Sequence, residues 1–484
     1  MKTQKISAFI ILTLWVGALN GQVRQPHSLY YMETIPQISQ MNPAFQPRAN
    51  GYLSLPVNFN IDLFSDLAPK DIFQRQGNNW YTPFDEPFDF YKLKQSIGKN
   101  SFSLNGGLDL DIIGYGLRVG KGYLSIGVSE HITGSLSLPT DLITLADDKY
   151  PNGTTLDFSP LGINSMMYQQ FRIGYSHKIT DRLTVGMNIK PLFGQIAVVT
   201  DLEKFSFLTG EEQWNLDAKG AVYSSLPYEA VKNEEGKLDE FASRVDDYEF
   251  IDWFNDYGGA FRNPGIAFDL GASYRITDQL TVSASLNNLG FISWKEDLNS
   301  VSFSGKYTFE SLEFDDTEDV VDQLEELLNS INDATDYKMH QNKFKTTLPP
   351  ALHAGVSYQF FESLSAGFLS RTVFWKNSVS QSFNLSGYFQ PYSFFALNAG
   401  ATWQVKGSVY LGGGFTFLLG PLQFYLLSDF IPVSFTTVRV EDMDEFPIVE
   451  RPKSLTMRIG LNLIFGRHGY TNKPMLEKRK NVWN

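Results

Sequence analysis

Six histidines are the first candidates for chemistry: His27, His131, His177, His340, His353 and His468. None stands in an HxxxH or HxxE pattern, so no helix face brings two metal ligands together. Cysteine is absent, which removes thiolate zinc sites, iron–sulfur ligation, disulfides and a cysteine nucleophile. Serine chemistry needs a serine and a histidine in hydrogen-bond reach, with a third group to orient the ring. His131 and His353 lie in alternating runs where neighbouring strands can supply both. Neither a GxSxG elbow nor a GxxxxGK[ST] phosphate loop occurs. The chain therefore reads as a non-enzyme with no cofactor.

The charged residues divide into two sets. Arg118, Arg172, Lys190, Arg275 and Arg458 are single cations on the polar parity of alternating runs. Carboxylates cluster instead in 229–256 and 313–326. Those clusters lack ordered calcium-loop spacing and read as solvated loops. The net charge is −13 and no basic stripe exists, which excludes a nucleic-acid partner.

The elements that must position these residues are announced by a repeated phrase. GYSHKITDRLTVGMNI (174–189) returns as GASYRITDQLTVSASL (271–286), and more loosely as LHAGVSYQFFESLSAGFL (352–369). Apolar residues alternate with polar ones on both arms, and period two means strands. Thr-Asp at the centre is turn chemistry, with Asp expected to bond its downstream backbone. Each phrase is a β-hairpin with one large apolar face and one mixed face of Gly, Ser, Asn and single charges. Aromatics make up 14% of the chain, with 39 Phe, 23 Tyr and 39 Gly, a mixture that favours strands and tight turns.

Three features select a transmembrane barrel over a soluble sandwich. Trp294, Trp375 and Trp403 end three strands on the same side, as an interfacial girdle would. Short connections near Gly120, Thr180, Thr277, Glu362 and Gly420 fall on one side; long polar segments, 63–100, 139–165, 198–265, 293–345 and 431–453, fall on the other. The last strand, SLTMRIGLNLIF, ends on an outward Phe465, which resembles the terminal signal read by the bacterial barrel-assembly machinery. Threading the chain up and down from 52–62 to 454–465 gives an all-β, antiparallel, up-and-down barrel of about fourteen strands, with both termini on the short-turn, periplasmic side. Further strands in 198–224 and 298–309 would extend a hairpin beyond the membrane. Inward glycines, among them Gly186, Gly271, Gly355 and Gly367, read as relief of barrel curvature.

Lysines followed by an apolar run at Ile6–Leu19 give residues 1–21 the layout of a secretory signal peptide, cleaved near Asn20–Gln22. With no Cys after the run, a lipid anchor is excluded. These features place the protein in the outer membrane of a Gram-negative bacterium. Residues 22–50 precede the first strand as a hatch or plug, the barrel occupies 51–466, and 467–484 form a basic tail with Arg467, Lys473, Lys478, Arg479 and Lys480. Val320, Val321, Leu324, Leu327, Leu328 and Ile331 repeat at helical spacing and predict an amphipathic helix capping the rim.

Asn42-Pro43-Ala44 before a first strand resembles the long-chain fatty-acid transporter (FadL-type) family. There a hatch occupies a fourteen-stranded barrel and hydrophobic substrates leave sideways through the wall. MNPAFQPRANGYLSLPVNFNIDL and ASYRITDQLTVSASLNNLGFISW resemble, more broadly, a Bacteroidota outer-membrane barrel family of unknown function, similar in style to FadL-type proteins and to the barrel handling cargo in type IX secretion. The resemblance implies a hydrophobic small-molecule ligand and outer-membrane lipid as partners. The alternative is a plugged scaffold for a secretion or cell-surface complex, docking a periplasmic partner through the basic tail.

Overall fold

The computed structural model describes residues 26–467 apart from 66, 68–70, 72–73, 77–78, 82–87, 98, 147–149, 227, 233–237, 244–260, 311–336, 375–378, 406–408, 430–434, 439–445 and 450–453. The expected signal peptide, Trp375, the stripe Val320–Ile331, the acidic stretch 313–326 and the tail beyond Arg467 lie outside the described residues.

The strands are β1 (Ala49–Ser54), β2 (Asn58–Ser65), β3 (Ser101–Val119), β4 (Gly122–Pro139), β5 (Gly162–Lys178), β6 (Leu183–Leu208), β7 (Gln213–Ser225), β8 (Pro264–Arg275), β9 (Leu280–Trp294) and β10 (Ser300–Glu310). They continue as β11 (Tyr337–His340), β12 (Phe344–Thr347), β13 (Ala351–Phe361), β14 (Leu364–Phe374), β15 (Val379–Tyr392), β16 (Phe395–Gln404), β17 (Val409–Leu419), β18 (Leu422–Ser428) and β19 (Ser454–Arg467). Short hairpins decorate the long segments at Gln74–Tyr81, Tyr228–Ser243 and Phe435–Val449.

Every pairing in the ring is antiparallel between sequence neighbours, and the ring closes. The first stave, β1 with β2, pairs with β3 on one side and β19 on the other. Counting β1 with β2 and β12 with β13 as single staves, and leaving β7, β10 and β11 outside the ring, gives the closed fourteen-strand barrel expected from the alternation. Closure leaves no edge strand, the one sheet topology that satisfies every backbone group in hydrocarbon.

The outer face carries the apolar parity. Ile113, Tyr115, Leu117, Ile126, Ile173, Tyr175, Met187, Phe268, Leu270, Val356, Phe368, Leu397 and Leu411 are exposed large hydrophobics on staves around the circumference. The opposite parity is buried and polar, including Ser129, Arg172, Asn188, Lys190, Asp269, Asn384 and Arg458. A wall with this polarity belongs in lipid.

The repeated phrase is the short-turn hairpin. Ile179 N–H donates to Leu183 O at 2.9 Å, and Ile276 N–H to Leu280 O at 2.8 Å. The turn residue doing the capping is Thr rather than Asp. Thr180 Oγ1 accepts from Arg182 N and Leu183 N, and Thr277 Oγ1 accepts from Gln279 N and Leu280 N. A hydroxyl one carbon from Cα reaches these amides as readily as a carboxylate does.

At the opposite end β6 runs on past its stave. Its extension pairs with β7, β7 with β10, and β10 with β11, as the segments 198–224 and 298–309 foretold. This rim sheet has its own core of Leu156, Phe158, Phe207, Trp214 and Leu216.

Candidate lumen site

Residues 26–48 run against the inner face of the barrel before β1 begins. His27–Tyr31 forms a 3-10 turn and Ile38–Met41 a single α-helical turn. Leu29, Tyr30, Met32, Ile35 and Met41 pack on Leu369, Tyr388, Ala396, Tyr425 and Leu427, so the barrel contains an internal apolar core. Each such side chain contributes about 1.5–3 kcal/mol when fully buried.

Polar stitches from many staves hold the same segment. Gln37 and Asn462 exchange side-chain hydrogen bonds at 2.8 and 3.1 Å. Gln423 Nε2 donates to Thr34 O at 2.7 Å. Gln40 Oε1 accepts from Arg458 Nη1 at 3.0 Å. His27 Nδ1 donates to Asp429 Oδ2 at 2.5 Å, and its Nε2 meets Ser382 Oγ at 2.8 Å. Burial works to raise the Asp429 carboxyl, just past the end of β18, but the His27 ring and the amides of His27 and Ser28 outweigh it and hold it below the ordinary range.

Asn42-Pro43-Ala44 sits at the centre of this arrangement. Asn42 Oδ1 accepts from Ala44 N at 2.9 Å, which closes an Asx turn across the proline. Its Nδ2 donates to wall carbonyls, Ala284 O at 3.2 Å and Ala272 O at 3.4 Å. The inward glycines have a sharper role than curvature relief. A Cβ at Gly271 would strike Asn42, at Gly186 Pro43, at Gly355 Tyr30, and at Gly367 Tyr31. They clear the wall for the segment.

The singled-out cations fare differently. Arg458 is buried, with Nη2 on Asp111 at 2.8 Å. Lys190 is buried, with Nζ 2.6 Å from Asp269 and 2.7 Å from Asn288 Oδ1. Arg118 bonds Gln46 Oε1 at 2.8 Å and Pro47 O at 2.6 Å. Arg172 is buried on the inner face of β5. Arg275 departs from the lumen expectation: it is exposed at the short-turn end and bonds the Asp181 carbonyl of the neighbouring turn. Its parity is inward, but the strand ends there and the guanidinium turns along the rim.

The girdle divides too. Trp403 is 52% exposed on the outer face. Trp294 is 0% exposed, stacks on Phe344 and donates Nε1–H to Thr346 Oγ1 at 2.9 Å. The cause is a bulge. The β8–β9 register shifts between Phe268 and Leu270, and Asn288 has φ +62°. One extra residue flips the parity of everything after it, so Trp294 points inward. Phe465 is 48% exposed on the outer face of β19.

Beside Gln40 and Met41 a cavity of about 70 Å³ remains between segment and wall. Its lining is polar and its charges are largely matched: Asp269 with Lys190, Asp111 with Arg458, and Asp109 with His131 Nδ1 at 2.6 Å. His131 Nε2 in turn accepts from Ser129 Oγ at 2.9 Å. This is the connectivity of a nucleophile, base and orienting acid, in the place the sequence left open. The β4 backbone on which Ser129 stands is paired in ladders with β3 on one side and β5 on the other, so no pair of its amides converges to hold an oxyanion. The same connectivity in Asp429–His27–Ser382 ties the lumen segment to the wall. Both sets serve to satisfy a buried imidazole.

Residues 43–429, most of the chain, match a family of unknown function (DUF5723). The chain belongs to that family. No curated protein sequence matches it. Solved structures similar to this member include the P. putida toluene transporter TodX, at 10% identity and TM-score 0.43 over 89% of this chain and 95% of that one. The CymD monoaromatic hydrocarbon channel gives 10% identity and TM-score 0.45, with 93% and 100% covered. A Pseudomonas aeruginosa FadL homologue gives 12% identity and TM-score 0.41, with 92% and 99% covered.

Proposed function

We propose that this family member is an outer-membrane barrel of a Gram-negative bacterium that passes a small, largely hydrophobic molecule, with residues 26–48 as its hatch. Residues 1–21 direct export, and the long segments face outward. The observation that carries this reading is the cavity left between the hatch and the wall. A segment meant only to fill the lumen would be expected to leave less polar-lined space, because protein interiors close to crystal-like density. The wall beside the hatch supports a sideways exit. Asn42 bonds the β8–β9 pair at Ala272 and Ala284, next to where that ladder slips around Asp269 and Asn288.

The test is uptake. Proteoliposomes bearing the full mature chain should accumulate a fluorescent small hydrophobic acid faster than empty liposomes. Oxidative cross-linking of the hatch to the wall through a pair of introduced cysteines should abolish the difference, and reduction should restore it. Equal uptake with and without protein would overturn the proposal in favour of a plugged scaffold.

A further inference from the structure

The cavity carries more than space. Four buried polar atoms on its lining residues have no hydrogen-bond partner among the described residues: Arg172 Nη1, Arg371 Nε, Asn287 Oδ1 and His353 Nε2. Native interiors rarely leave such atoms bare, and each asks for a ligand group.

Their chemistry follows from their neighbours. Arg172 is 6% exposed and makes no ion pair among the described residues, whereas Asp269 and Asp111 are matched to Lys190 and Arg458 and Asp109 meets the His131 ring. An uncompensated buried guanidinium calls for an anion, and its planar fork suits an oxyacid. Gly127, directly opposite Arg172 in the β4–β5 ladder, leaves room beside it; a Cβ there would lie 3.4 Å from Nη2.

Asn287 spends both amide protons on the hatch, to Met41 O at 2.9 Å and Gln40 O at 3.2 Å. Its Oδ1 is therefore a bare acceptor. Ser285 Oγ gives its proton to Met41 O at 2.8 Å, so toward His353 Nδ1, 3.3 Å away, it accepts. Neutral His353 then carries its proton on Nδ1 and leaves Nε2 as a second buried acceptor on a lining residue. Asn287 and His353 stand on adjacent staves, β9 and β13. A guanidinium without an ion pair among the described residues and two bare acceptors thus belong to the lining of one cavity.

The geometry points to a ligand whose head group combines a carboxylate, held by Arg172, with an N–H or O–H donor, held by Asn287 and His353. This rests on the hatch reading and names the class of molecule: an acyl chain ending in an amino acid or hydroxy acid, rather than a plain hydrocarbon or a simple acid.

The test uses the full mature chain in phosphatidylcholine nanodiscs, with binding measured by equilibrium dialysis. N-dodecanoylglycine and N-dodecanoylsarcosine differ by replacement of the amide N–H with N–CH₃. The glycine conjugate should bind about tenfold more tightly, as expected when one buried acceptor goes unmet. Arg172→Gln should weaken both by at least that factor, and Asn287→Leu should erase the difference between them. Heat-modifiable migration on gels reports whether each variant is folded, and the comparison of conjugates on the unsubstituted protein stands without any variant. Equal binding of the two conjugates, or of dodecanol, overturns the head-group assignment while leaving passage intact. Tight selective binding without uptake into proteoliposomes overturns passage and leaves the site.

Discussion

At the scale of single residues the protein is a set of inward polar atoms, most of them matched. Asn42 shows how. Its carbonyl closes a turn and its amide reaches two wall carbonyls. Asn42→Ala removes these three bonds and a fourth to the Tyr30 hydroxyl, which costs about 1–3 kcal/mol. Faster hydrogen exchange of amides in 26–48, with the barrel amides unchanged, is the expected readout; unchanged exchange would mean that the apolar contacts of Leu29, Met32 and Ile35 dominate. The tryptophans offer a second residue-scale test. In vesicles of brominated lipid, single-tryptophan variants retaining Trp403 should be strongly quenched and those retaining Trp294 should not, since one faces lipid and the other is enclosed.

Among the elements, the rim sheet of β6, β7 and β10 stands outside the ring and answers to water. Lys204 Nζ lies 2.5 Å from Asp217 Oδ2 across the β6–β7 pair, and that hydrogen bond, with help from the charges of Lys204 and Lys306, holds the Asp217 carboxyl below its usual range. A lowered folded value means that the contribution is present above the unfolded carboxylate value, about 4, and fades as pH falls through the folded one. Hydrogen exchange in the β6–β7 extension should therefore quicken below about pH 4, with the membrane staves unaffected. Asp217→Asn should remove that step. An exposed pair acts weakly, so the effect stays local. The bulge at Asn288 is the other element-scale device: by flipping the β9 face it turns Trp294 inward.

Taken as a whole molecule, the barrel holds two solvents apart with one wall and fills its middle with its own N-terminal segment. Fourteen staves enclose more room than wall side chains alone can fill. Deleting residues 26–48 should leave a folded, heat-modifiable barrel, because closure of β1/β2 against β3 and β19 does not need them. Ion conductance in planar bilayers should rise clearly over the full chain. If the deleted form conducts no better, the lumen is closed by something other than this segment.

Strand periodicity determined the wall. Period two with large apolar residues on one parity leaves few sheets other than a closed one in lipid, and the turns and stave count followed from the spacing of Thr-Asp, Gly-Lys and Gly-Pro. The Asn-Pro-Ala turn and the inward cations were legible as residue types on a parity. Their partners were not. Arg458 meets Asp111 across 347 positions, and His27 meets Asp429 across 402; ring closure alone makes such pairs neighbours. A bulge adds one residue without disturbing composition, so the inward turn of Trp294 left no mark in the alternation that a reader could separate from a strand end. The unmatched Arg172, Asn287 and His353 exist only as a remainder after every other polar atom has found its partner, and that subtraction needs the folded chain.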